Sequence, residues 1–255
     1  MSTLVADLLA AADPAEIAMR AGITPDPWQQ TFLRSTSDRI LLNCSRQSGK
    51  STMAAVRACH TALYDAGSLT LLVSPSERQS GELAAKVRAV MQALEWPLSA
   101  EQQTTLQLRL SNGSRIVALP GKEGTIRGYS GVRLLILDEA ARVPDELVEA
   151  VRPMLAVSSG TMVMLSTPYG TRGSFYEAWQ SRERWERFEV PATQVPRIPA
   201  EFLEEERSTL GQWAFSQEYL CRFMADAGAV FDLDDVMRAI DPGIKPLGIL
   251  GEGWQ

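Results

Sequence analysis

The sequence predicts an α/β fold, a mostly parallel sheet with helices on both faces. Three observations carry this. Four short apolar runs, Ile40 to Cys44, Leu69 to Ser74, Val132 to Asp138 and Met162 to Thr167, read as strands buried on both sides. Most of them are trailed by a helical stretch, the alternation that builds a covered parallel sheet. And 255 residues, 45% hydrophobic and 22% charged, are enough for one large core, or one core with a small appendage.

Taken in order, residues 1–36 read as short helices, with Asp26 as N-cap and Pro27 as N1 ahead of Trp28-Gln29-Gln30-Thr31-Phe32-Leu33. The first strand, ending at Cys44, runs into a glycine-containing turn and a helix through Met53 to Ala58. Thr105 to Leu119 alternates about Asn112-Gly113, a hairpin at the edge of the sheet. After Pro168 come a helix near Ser174 to Arg182, a strand near Arg187 to Val190, and helical stretches from Pro199 to Arg207 and Gly211 to Phe223 that form a small lid or linker. The expected domains are a helical segment with an adenine-binding region at 1–36, a P-loop core at 37–192, lid helices at 193–226 and a tail at 227–255.

Composition excludes several classes. The apolar runs fall far below the roughly 18 residues needed to cross a bilayer, so no membrane is expected as a partner. No basic leader precedes an apolar stretch at the N-terminus, and an intracellular location is expected. Cys44, Cys59 and Cys221 have no CxxC spacing and His60 is the only histidine, which leaves structural zinc and Ser-His-Asp or Cys-His hydrolysis poorly supported. The net charge of −6 argues against coating nucleic acid by bulk electrostatics but leaves room for a local basic track. Only Lys50, Lys86, Lys122 and Lys245 of the 25 basic residues are lysines; the arginines suit bidentate phosphate contacts.

Ser45-Arg46-Gln47-Ser48-Gly49-Lys50-Ser51-Thr52 follows a strand and opens a helix, the context of a P-loop. There, backbone N–H groups and a helix N-terminus cradle phosphates, Lys50 supplies a point charge and the Ser51 hydroxyl ligates Mg²⁺. Cys44 stands where GxxxxGK[ST] has its first glycine. Leu134-Leu135-Ile136-Leu137-Asp138-Glu139 presents two acids at the C-terminal end of a buried strand, where open α/β sheets bind ligands. Asp138 would hold Mg²⁺ and Glu139 would polarise the attacking water.

Three further groups have an ordinary reading beside the functional one. Ser166-Thr167-Pro168 either senses the γ-phosphate or is a strand stopped by proline. Gln29, beside Trp28, either meets adenine through its amide or packs at a helix start. Arg46 and Arg127 either bring charge to the transferring phosphoryl, worth about 10³–10⁵ in rate, or form surface ion pairs.

Pro27-Trp28-Gln29, Ser45 to Ser51, Val73-Ser74-Pro75 with Arg78-Gln79, Ile126-Arg127-Gly128-Tyr129-Ser130, Leu137-Asp138-Glu139-Ala140-Ala141 and Ser166-Thr167-Pro168 together resemble the ATPase domain of a tailed-phage terminase large subunit. The likeness runs in order from Pro27 to Phe223 and includes Gly173-Ser174-Phe175-Tyr176 and Gln217-Glu218-Tyr219-Leu220. The resemblance implies a RecA-like P-loop NTPase of the ASCE type, working as a ring, usually pentameric, on the phage portal with double-stranded DNA through its centre. It also implies the terminase small subunit as a partner and the host bacterial cytoplasm as the location. By carry-over Gln29 would meet adenine, Lys50 and Ser51 the phosphates and Mg²⁺, Asp138 the metal and Glu139 the water. Ser166 and Thr167 would couple hydrolysis to movement, Arg46 would act in cis, and Arg127 would reach a neighbour's nucleotide.

Members of that family also carry a C-terminal nuclease. Asp232, Asp234, Asp235 and Asp241 read here as linker, so an isolated motor domain is expected. The alternatives are half of a superfamily-two helicase-like translocase and a nucleotide- or DNA-binding module without turnover. Few residues remain after the core for the second domain that the first would need, and a binder has no need of Glu139.

Overall fold

The computed structural model describes residues 3–96, 104–121 and 128–225. Arg127, Lys122 and the acids of the expected tail lie outside the described residues. Contacts divide the chain into a compact unit, Met1–Met224, and a second, Ala225–Gln255.

Seven strands form one sheet in the order β3-β4-β2-β5-β6-β1-β7. They are β1 (Arg39–Cys44), β2 (Leu69–Ser74), β3 (Gln107–Arg109), β4 (Arg115–Pro120), β5 (Val132–Asp138), β6 (Thr161–Ser166) and β7 (Glu186–Val190). All neighbours pair in parallel except β3, which is joined to β4 as an antiparallel edge hairpin. Gly113, at φ +85°, takes the left-handed position that this turn requires. The four apolar runs are thus β1, β2, β5 and β6, and the strand expected near Arg187 is β7.

Alternate residues of the inner strands β1, β2, β4, β5 and β6 enter opposite cores. Ile40, Leu42, Leu72, Ile136 and Leu165 face the layer built by α1 (Thr3–Ala12), α2 (Pro14–Arg20), α3 (Pro27–Arg34), α4 (Lys50–Tyr64) and α5 (Glu77–Ala93). Leu41, Leu71, Leu135, Leu137 and Met164 face α6 (Asp145–Val151) and α7 (Gly173–Gln180). Ala10, Ile17, Phe32 and Leu33 belong to the first core, so the helical segment at 1–36 is part of the same compact body as the sheet.

The last helix among the described residues, α8 (Ala200–Leu220), is interrupted at Gly211, whose φ of 74° and ψ of 163° break the helical turn where the sequence placed a gap between two helices. Its own small core is Ala192, Leu203, Phe215 and Tyr219. Among the described residues no helix is long and apolar enough to cross a membrane.

Candidate active site

Parallel pairing brings three strand ends to one edge: Asn43 of β1 pairs with Ser166 of β6, and Asp138 of β5 with Leu165. The loop Ser45 to Gly49 leaves β1 there, and α4 begins at Lys50. Gln47 (φ 58°) and Gly49 (φ 87°) are left-handed, which turns successive N–H groups toward a common point in front of a 15-residue helix. Such a nest at a helix N-terminus attracts anions. Thr52 N–H closes the first turn on the Gly49 carbonyl at 3.1 Å.

Lys50 is buried, at 7% exposure, and a buried ammonium needs partners. It has two: Thr167 Oγ1 at 3.1 Å and Glu139 Oε1 at 3.3 Å. Glu139 reaches it because its backbone is left-handed (φ 52°, ψ 44°), which folds the chain back over the strand end. That conformation costs a non-glycine residue about 1 kcal/mol and recurs at functional sites. Ser166 Oγ lies 2.7 Å from the Thr167 carbonyl and 3.4 Å from Glu139 Oε2, so its single proton serves the nearer acceptor.

Asp138 accepts the Ser51 hydroxyl and the Glu139 N–H, each at 3.1 Å. Burial, with the Glu139 charge beside it, pushes its carboxyl up to about 6, against the pull of Lys50 and Ser51. A divalent cation would answer that uncompensated charge. Among the described residues no group of three His, Cys, Asp or Glu could hold a metal, so the site has no all-protein cage. Two hard oxygens, on Ser51 and Asp138, beside a nest of backbone N–H groups fit Mg²⁺, which is usually held by one or two carboxylates together with substrate phosphates.

Gln29 is 2% exposed, and its amide works within the protein: Oε1 accepts Asp26 N–H at 2.9 Å and Nε2 donates to the Ser48 carbonyl at 3.0 Å. The structure shows the helix-start contact, and the same side chain ties the start of α3 to the loop before α4. Trp28 packs against the first core, and its Nε1 has no hydrogen-bond partner among the described residues. Ser45 N–H donates to the Val190 carbonyl at 3.0 Å, joining the loop to β7.

Arg46 points to α8: its Nε is 2.7 Å from Glu218 Oε2. Arg197, which the sequence reading did not single out, donates to both Asp26 oxygens at 2.8 and 2.7 Å and to the Ser48 carbonyl at 3.0 Å. Its partners lie far away in sequence and no local pattern marks it.

A buried P-loop lysine, two acids at the end of β5, Asp138 closing the strand and Glu139 just past it, and one strand, β6, set between β1 and β5 define a RecA-like P-loop NTPase fold. The chain belongs to the terminase large subunit family: the sequence model described as terminase large subunit, T4likevirus-type, N-terminal matches residues 41–238. It is 28% identical over 253 residues to the terminase large subunit of Thermus phage G20c, covering 85% of this chain and 52% of that one. The chain therefore spans about half the length of the curated relatives it matches.

Among solved structures it is similar to the large terminase ATPase domain of Thermus phage P74-26, with a TM-score of 0.69 and 25% identity over 81% of this chain and 97% of that one. The large terminase of a thermophilic bacteriophage, solved with ADP, shares the fold at a TM-score of 0.63 and 12% identity, covering 78% and 53% of the two chains.

Proposed function

We propose that this domain binds ATP with Mg²⁺ and hydrolyses it, and that it is the motor that moves double-stranded DNA into a phage procapsid. It works as a homo-oligomeric ring, a pentamer on the portal protein, alongside the terminase small subunit, in the host bacterial cytoplasm. One observation carries the reading: Lys50 sits between Glu139 and Thr167, with Ser51 on Asp138 beside it.

Ser45, Gln47, Ser48, Gly49 and Thr52 shape the loop whose N–H groups receive the phosphates, and Lys50 neutralises charge on the β and γ oxygens. A phosphate that takes Lys50 releases Glu139 from its ion pair, and the freed carboxylate orients the attacking water and accepts its proton. Mg²⁺, held by Ser51 and Asp138, supplies charge neutralisation on the phosphates when bound. Arg46 approaches the phosphoryl in cis once it leaves Glu218, and Arg127 reaches in from a neighbouring subunit. Ser166 and Thr167 adjoin both Glu139 and Lys50, so loss of the γ-phosphate is felt at the end of β6. Trp28 and Gln29 border the base.

Steady-state ATP hydrolysis against protein concentration, with Glu139→Gln as the blank, tests this. Specific activity that rises with concentration and vanishes in the variant is expected. Activity equal to the blank at every concentration would overturn the enzymatic reading.

A further inference from the structure

The Ser48 carbonyl receives two donors, Gln29 Nε2 and Arg197 NH2, each at 3.0 Å. A carbonyl oxygen has two lone pairs, so both are satisfied. The Ser48 carbonyl and the Gly49 N–H belong to one planar trans peptide and point in opposite directions. Holding the carbonyl outward therefore holds the Gly49 N–H inward, toward the centre of the nest. The left-handed φ of Gly49 fits that orientation, and a Cβ there would stand 2.9 Å from Gln29 Nε2 and 3.4 Å from Arg197 NH2, so the two donors close on bare backbone.

Arg197 is itself fixed. Its NH1 spans both oxygens of Asp26, a carboxylate 11% exposed that caps α3, and Gln29 leaves the same helix start. The chain after β7, the start of α3 and the phosphate loop thus meet at one peptide group.

We infer that Arg197, oriented by Asp26, is a positioning residue that together with Gln29 fixes the Ser48–Gly49 peptide so that its N–H faces the nucleotide's phosphates. The inference rests on the nucleotide-binding reading of the loop and assigns Arg197 a part in phosphate binding rather than in base recognition. The two parts leave different signatures. A peptide clamp serves every ligand that carries the phosphates and is blind to the base, whereas a base contact separates ATP from GTP and ignores pyrophosphate.

Calorimetric titration of ATP, GTP, ADP and pyrophosphate into wild type, Arg197→Ala and Asp26→Asn decides the matter, with thermal melting to show that each variant is folded. Arg197→Ala is expected to weaken all four ligands by a common factor of about tenfold, the scale of one hydrogen bond from a charged donor. Asp26→Asn is expected to do the same to a smaller extent, and the double variant to equal Arg197→Ala alone. A folded Arg197→Ala with wild-type pyrophosphate affinity, or one whose loss is confined to ATP, would overturn the inference. If Arg197→Ala does not fold, the common factor is read from Asp26→Asn, and its absence there has the same force. Wild type that binds no ATP would instead overturn the reading of the site itself.

Discussion

Arg46 and Glu218 meet twice: their side chains form an ion pair at 2.7 Å, and the Arg46 N–H donates to the Glu218 carbonyl at 3.1 Å. Helix α8 therefore holds both the backbone and the guanidinium of Arg46. An incoming phosphate competes with Glu218 for that guanidinium. Arg46 is 62% exposed, and such a pair is worth less than about 1 kcal/mol. Glu218→Gln should tighten ATP binding by no more than about fivefold, measured by calorimetry, while Arg46→Ala in the same background cancels the gain. Weaker binding in Glu218→Gln would mean that α8 presents Arg46 rather than restrains it.

Lys50 and Glu139 are neighbours at 3.3 Å with separate tasks, one toward phosphate and one toward water. Lys50→Ala removes the buried charge facing the phosphates and should abolish ATP binding. Glu139→Gln keeps the shape and the hydrogen-bonding reach of the side chain but cannot take a proton. It should bind ATP and lose about 10²–10⁴ in hydrolysis. Calorimetry beside a phosphate-release assay separates the two, and equal loss of binding in both would end the assignment.

Local pattern made the sheet and the phosphate edge readable. β1, β2, β5 and β6 are mostly apolar runs, the turn at Ser45–Lys50 follows directly on β1 and the pair Asp138-Glu139 stands at the end of β5, so their placement needed no long-range information. Contacts between remote segments were not readable. Gln29 was legible as a helix-start residue, but its grip on Ser48 depends on where α3 packs. Arg197 lies 171 residues from Asp26, and nothing around Pro196-Arg197-Ile198 announces a partner. The left-handed turn of Glu139 was likewise invisible, because its own residue type gives no warning of it.

Asp138 should make stability depend on pH in the direction opposite to an ordinary surface acid. Its folded carboxyl is raised from 3.8 to about 6, so the native state binds its proton first as pH falls. Stability from this group therefore rises as pH drops from above 6 toward 4, and its penalty is fully present above pH 6. His60, whose ring is lowered by burial, works the other way, so the comparison must be between wild type and Asp138→Asn at each pH. At pH 7.5 with a chelator the variant should melt higher by about 5 °C, from a penalty of up to about 2–3 kcal/mol, and the gap should shrink to about a third by pH 4.5 and close below pH 3.8. A variant less stable at pH 7.5 would show that Ser51 and Lys50 already compensate the buried charge.

Arg127 is proposed to complete a neighbour's site, and mixing subunits isolates that role. Arg127→Ala subunits would lack the finger but keep Lys50, Asp138 and Glu139; Glu139→Gln subunits would lack hydrolysis but keep the finger. Each alone should turn over slowly, Arg127→Ala with an ATP affinity near wild type, because a charge that acts on the transferring phosphoryl lowers the barrier more than it aids ground-state binding. Combined, the two should recover part of the wild-type rate, since some Arg127→Ala sites would then face an intact arginine. The recovered rate should pass through a maximum as the proportion of Glu139→Gln subunits increases, because the donors of the finger dilute the sites able to hydrolyse. A mixture whose rate is the weighted sum of its components at every ratio would exclude action in trans and leave Arg46 as the arginine of this site.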